Sequence, residues 1–149
     1  MIAMRARLLI ATLWVGSLWT VGYVVAPALF ASLDDRVLAG TIAGTLFRIE
    51  AWLSLACALA IIALIKFAGA DKGDKASKHL LGIAMAMLAC TLIGYFGLQP
   101  FMTALRAAAG PGGVMDSASK TQFGILHGVA STFYLIQSLL GVALILKLR

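Results

Sequence analysis

Two titratable side chains fall where a membrane protein does not place them idly. Glu50 lies in GTLFRIEAWLSLACALAIIALIKF (Gly44–Phe67), and His127 lies in FGILHGVASTFYLIQSL (Phe123–Leu139). Each stands near the head of an apolar run, where a carboxylate or an imidazole needs a partner. Together they could share a proton or a charge-assisted hydrogen bond, or hold a small ligand between them. Helical spacing extends both into stripes. Glu50, Ser54 and Cys57 fall on one face; His127, Ser131, Tyr134 and Ser138 fall on another. Thr91, Tyr95 and Gln99 form a third stripe, and Gly16, Trp19 or Thr20, and Tyr23 a fourth. Four semi-polar stripes are expected to face one another around an outward-opening polar pocket. Glu50 and His127 would be its titratable pair, with Gln99, Tyr95, Tyr134 and Ser131 as orienting groups. Arg48 turns about 200° away from Glu50. It is a ligand-binding candidate set against the plainer reading of a snorkelling residue. Tyr and Trp near helix ends serve as interfacial anchors as often as pocket walls.

Metal and cofactor chemistry has less support. His127, Met102 and Met115 form a weak candidate set for a soft metal ion such as Cu(I), but no MxxM or HxxxM cluster accompanies them. A haem held between two histidines is argued against. His79 and His127 are the two histidines, and they belong at opposite membrane faces, roughly 30 Å apart. Cys57 and Cys90 lack CxxC spacing and read as small buried hydrophobes. No Gly-rich phosphate loop, HExxH or hydrolase nucleophile pattern is present.

The elements that must position these residues follow from composition. Of 149 residues 62% are hydrophobic and 12% charged, with mean hydropathy +0.99, so the chain is an all-α integral membrane protein. Four stretches reach membrane length: Leu8–Phe30, Phe47–Phe67, Leu80–Gln99 and Phe123–Leu146. They predict a single four-transmembrane-helix bundle over residues 1–149. The net charge of +6 sits at the flanks of these runs, as topology determinants and not as a nucleic-acid face. Arg5, Arg7, the Lys66–Lys78 connection and Lys147 place both termini in the cytoplasm of a bacterial inner membrane. Asp34 and Asp35 can start a helix running unbroken to Lys66, longer than a bilayer core of about 30 Å requires. The third helix can continue past Pro100 to the GPGG of Gly110–Gly113, and the fourth can start near Asp116 or Ser117. Helices 2–4 are therefore expected to extend past the outer side.

Four stretches also carry a resemblance: LWVGSLWTVGYVVAPALFASL (Leu13–Leu33), AGTIAGTLFRIEAW (Ala39–Trp52), GLQPFMTALRA (Gly97–Ala107) and FGILHGVASTFYLIQSL. Together they resemble a bacterial four-helix membrane family of unknown function that is similar to animal transmembrane protein 205. The resemblance implies the topology, a histidine in the last helix carried by His127, and a late polar residue in that helix carried by Gln137. At that late position the family often has Asn, so Gln137 is a departure from its pattern, and the resemblance implies no reaction.

The reading that follows is a small membrane protein whose pocket binds or transports a small ligand, proton or metal ion. An alternative is an accessory subunit that packs against a membrane partner or a second copy through the Gly40/Gly44 face. A further alternative is a membrane enzyme acting on a lipid-soluble substrate.

Overall fold

The computed structural model describes residues 2–67, 75–110 and 112–148. The middle of the Lys66–Lys78 connection, Pro111 and Arg149 lie outside the described residues. Every regular element among those described is helical: α1 (Ile2–Trp19), α2 (Ala26–Ser32), α3 (Arg36–Phe67), α4 (Lys75–Thr91), α5 (Gln99–Ala108) and α6 (Ser117–Lys147). A π-helical segment joins α1 to α2 (Thr20–Val25), and another leads from α4 towards α5 (Leu92–Gly97). Four rods long and apolar enough to cross a membrane result: Ile2–Ser32, Arg36–Phe67, Lys75–Ala108 and Ser117–Lys147. At ~1.5 Å per residue they measure about 46 to 51 Å, well beyond a bilayer core.

The sequence explains where the rods start, bend and stop. Asp35 Oδ1 accepts hydrogen bonds from the backbone N–H groups of Val37 (2.9 Å) and Leu38 (3.0 Å), capping α3. Asp116 does the same for α6 through Ser119 N–H at 2.7 Å, and these backbone bonds hold its carboxyl below the usual range. Gly110 (φ 69°) and Gly113 (φ 64°) take the left-handed backbone that ends α5 and reverses the chain. From its N-cap to Phe67 α3 is continuous, as its uninterrupted sequence predicts. The first and third rods are not, and proline is the reason. Pro27 and Pro100 have no N–H to give to the carbonyl four residues back, and their rings crowd it. The backbone widens ahead of each: Ala26 N–H reaches Val21 O, and Leu98 N–H reaches Ile93 O at 3.1 Å, five residues back.

The rods pack in a ring. Each touches its neighbours in sequence, and the fourth closes onto the first through α1 and α6. Among the described residues no backbone contact crosses either diagonal. Both ends of the described chain therefore lie at one end of the bundle. At that end the core is dry: Ala11, Trp14, Ile61, Ala84, Met87 and Leu144 are each 0% exposed. Lipid is as apolar as this core, so packing and interhelical hydrogen bonds, more than the hydrophobic effect, hold it. Arg7, expected to be a flanking charge, is buried; its guanidinium donates to Leu64 O near the α3 C-terminus at 2.6 Å.

Close approach needs glycine at one place in particular. A Cβ on Gly22 would collide with the Tyr134 ring, whereas Gly16 has nothing within 4 Å. Gly22→Ala should therefore lower stability in detergent by about 1–3 kcal/mol. Gly16→Ala should leave it unchanged or raise it by up to about 1 kcal/mol. Thermal unfolding followed by circular dichroism separates the two.

Candidate functional site

Three rods meet at one hydroxyl, and the remaining one joins them through Gln137. Ser54 Oγ, 1% exposed, donates to Glu50 Oε1 (3.2 Å) and accepts from Trp14 Nε1 (2.8 Å) and Gln137 Nε2 (3.4 Å). A hydroxyl has one proton and two lone pairs, so its capacity is full. Gln137 Nε2 also donates to Thr91 Oγ1 (2.9 Å), and that hydroxyl donates to Met87 O (3.3 Å). The Ser17 hydroxyl is shared between Trp14 O (2.9 Å) and Glu50 Oε1 (3.3 Å). Trp14 and Ser17 come from α1, Glu50 and Ser54 from α3, Thr91 from α4 and Gln137 from α6. Gln137 and Ser54 meet across a diagonal that no backbone contact spans.

This junction floors a cavity of about 550 Å³ on the side away from the termini. The lining reaches from Ser54, Thr91 and Gln137 to Gly40 and Arg106. Gly40 to Ser54 is fourteen residues of α3, so the cavity runs about 21 Å along the helix. Its walls are mostly apolar or aromatic, with Phe47 edge-on to Tyr134 (centroids 5.4 Å) and Tyr134 edge-on to Tyr23 (6.2 Å). Tyr134 is fixed by donating to Leu18 O at 2.6 Å, and Tyr23 by donating to Ser138 Oγ at 3.0 Å.

Glu50, Gln99, Tyr95, Tyr134, Ser131 and His127 all line this one cavity. Arg48 does not. It is exposed and turned about 200° from Glu50 around the helix. Of the soft metal candidates, Met102 joins His127 in the lining and Met115 stays outside it. No three His, Cys, Asp or Glu side chains gather among the described residues. Counting ~1.5 Å per residue from Thr91 and Gln137 places His79 and His127 about 33 Å apart along the bundle. Both cysteines are buried and free.

The expected Glu50–His127 pairing needs correction. No hydrogen bond or salt bridge joins them among the described residues; Glu50 takes Ser17 and Ser54 instead. Ten residues separate His127 from Gln137 and four separate Glu50 from Ser54. With Gln137 and Ser54 at one level, the two groups sit about 9 Å apart along the axis, too far for one bridging water. His127 instead stacks on Phe123 (6.1 Å, interplanar 6°), and Arg106 lies over the same ring at 4.9 Å. The first-rod stripe was also misplaced: Trp14, Val15 and Leu18 face inward, while Trp19 is 46% exposed. Tyr23 reaches the cavity because the π-helical segment resets the register.

Trp14, Ser17 and Arg106 were missed as site residues. Gln99, Met102 and Arg106, spaced i, i+3, i+7, were legible as one face of α5. Nothing local marked Trp14 as a donor.

Residues 9–111 match the family described as a domain of unknown function, DUF4149. The chain belongs to this family. The DUF4149 match takes in Trp14, Glu50, Ser54, Thr91 and Arg106, whereas Gln137, Tyr134 and His127 lie beyond its end. No curated protein and no solved structure matches the chain.

Ser54→Ala removes the shared hydroxyl and strands Trp14 Nε1, so it should cost about 1–3 kcal/mol. Thr91→Val removes one outlying acceptor and should cost about 0.6 kcal/mol, the average for such bonds in membranes. Unfolding titrations in mixed micelles would rank the two; equal losses would show that Ser54 is not the hub.

Proposed function

We propose that the protein is a binding module of a bacterial inner membrane that holds a small molecule in the cavity between its four helices. The observation that carries this reading is a cavity between the four rods with a polar junction and a packed apolar core beneath it. Its floor is a hydrogen-bonded junction of four rods, and beneath it lies the apolar core of Ala58, Ile61, Ala84, Met87 and Leu144. A receptacle of about 550 Å³ with apolar walls and a few convergent polar groups has the usual form of a small-molecule site. Both termini face the cytoplasm on the charge argument, so the mouth faces outward and helices 2–4 project past that side. Carriage of the ligand across the membrane would require the helices to part beneath Ser54, and the π-helical segments before Pro27 and Pro100 are places where a helix can bend. The likeness to animal transmembrane protein 205 agrees with a four-helix module and assigns no reaction. The accessory-subunit reading draws little support from Gly40 and Gly44, because both line the cavity, with Gly44 beside Arg106.

Native mass spectrometry of protein extracted in polymer-bounded native membrane tests the reading. The wild type should carry a bound small molecule, and Ala130→Phe, which fills the cavity from α6, should lose it while keeping its helical content. A stoichiometric protein partner with no small molecule would favour the accessory subunit. Reporter fusions after Ala70 and at Pro111 should report opposite sides of the membrane, the first cytoplasmic.

A further inference from the structure

Two side chains of opposite charge line this cavity at different levels. Both hydroxyl donors to Glu50 converge on Oε1, so Oε2 receives no hydrogen bond from the described residues. Yet Glu50 is 3% exposed and lines the cavity. A carboxylate at that depth calls for a counter-charge. Toward the mouth, Arg106 from α5 also lines the cavity. Its guanidinium comes within 3.5 Å of where a Cβ on Gly44 would stand, which fixes its level on α3. It makes no hydrogen bond or ion pair among the described residues; its one specific contact is the Phe123 face at 4.9 Å. That contact leaves the planar edge, with five N–H donors, open. His127, stacked on the same Phe123 ring, lies at this level too. Gly44 is six residues from Glu50, so the acceptor and the donors are about 9 Å apart along the helix. Tyr23, Phe47 and Tyr134 wall the span between them.

We propose that the cavity is built for an amphoteric molecule: an ammonium at one end on Glu50 Oε2, an acidic group at the other on Arg106 with His127 beside it, and an apolar body between the two. The inference rests on the binding-module reading above and adds to it the ligand's charge pattern. Glu50 alone is a liability, a buried carboxylate without a cation, and Arg106 at the exposed end is a guanidinium with no anion among the described residues. One bipolar ligand satisfies both, while a simple fatty acid or a simple alkylamine leaves one uncompensated. The aromatic walls suit the methylenes and can add cation–π attraction next to the ammonium.

Calorimetric titration of the protein in phosphatidylcholine nanodiscs with four probes of matched length decides the matter: 8-aminooctanoate, octanoate, octylamine and 1-octanol. 8-Aminooctanoate should bind at least about tenfold tighter than any of the others, the worth of one charged hydrogen bond. Glu50→Gln should erase its advantage over octanoate and keep its advantage over octylamine. Arg106→Gln should do the reverse, and Ala130→Phe should abolish binding of all four. If 1-octanol binds wild type as tightly as 8-aminooctanoate, and Ala130→Phe still abolishes both, the cavity binds amphiphiles without reading charge; the amphoteric proposal falls and the binding module stands. If no probe binds, or if Ala130→Phe changes nothing, both fall. Should Glu50→Gln fail to fold, the wild-type ranking of the four probes alone supports or overturns the proposal.

Discussion

The bundle is organised around the burial of one carboxylate. Glu50 cannot sit 3% exposed between membrane helices unless something hydrogen-bonds it, and Ser54, one turn further along α3, does so. That hydroxyl then has two lone pairs to satisfy, which draws in Trp14 from the first rod and Gln137 from the fourth. Gln137 in turn reaches Thr91 on the third. One ionisable side chain thus fixes the rotation of all four rods about their axes. Turning any rod by one residue, about 100°, would strand a polar group in a medium that offers no water to replace it.

This constraint divides the bundle. On the terminal side of Ser54 the rods interlock through Ala11, Ala58, Ile61, Ala84, Met87 and Leu144, with small residues allowing close approach. Gly141, where an added Cβ would stand 2.8 Å from Val15, marks a close approach of α1 and α6. On the other side the rods no longer close. Pro27 and Pro100 each force the preceding turn to widen, and the widened turns of the first and third rods flank the cavity. The glycines at 40 and 44 keep the facing wall of α3 bare. Space in this half is thus a consequence of two prolines and two glycines, and polarity in it a consequence of what the rods carry past the junction. The same division separates roles: the dry half supplies stability, and the open half presents Glu50, Arg106, His127 and the three tyrosines.

Much of this was legible one residue at a time. Runs of apolar residues fixed four membrane helices, because in lipid the backbone must satisfy itself and a helix is the way a single segment does so. Asp35 and Asp116 announced two helix starts, and Gly110 and Gly113 a reversal. The periodicity of 3.6 placed Tyr95 and Gln99, and His127, Ser131 and Tyr134, on faces that do line one cavity. Periodicity failed on the first rod, where it assumed a uniform α-helix through Thr20–Val25 and so misassigned the inward face below it.

What the sequence determined by itself was therefore local: which segments span, where they begin, and which side chains share a face. Only the tertiary structure decided who meets whom. Glu50 and His127 share a cavity, yet Glu50 is served by serines on its own and a neighbouring helix, and His127 stands beside Phe123 and Arg106. The reason is that spacing along one helix sets angle and height on that helix alone. The relative height and rotation of two helices come from packing between them, here from Gln137 reaching Ser54 across the bundle and from Tyr134 seated against Gly22, and no single segment encodes that register.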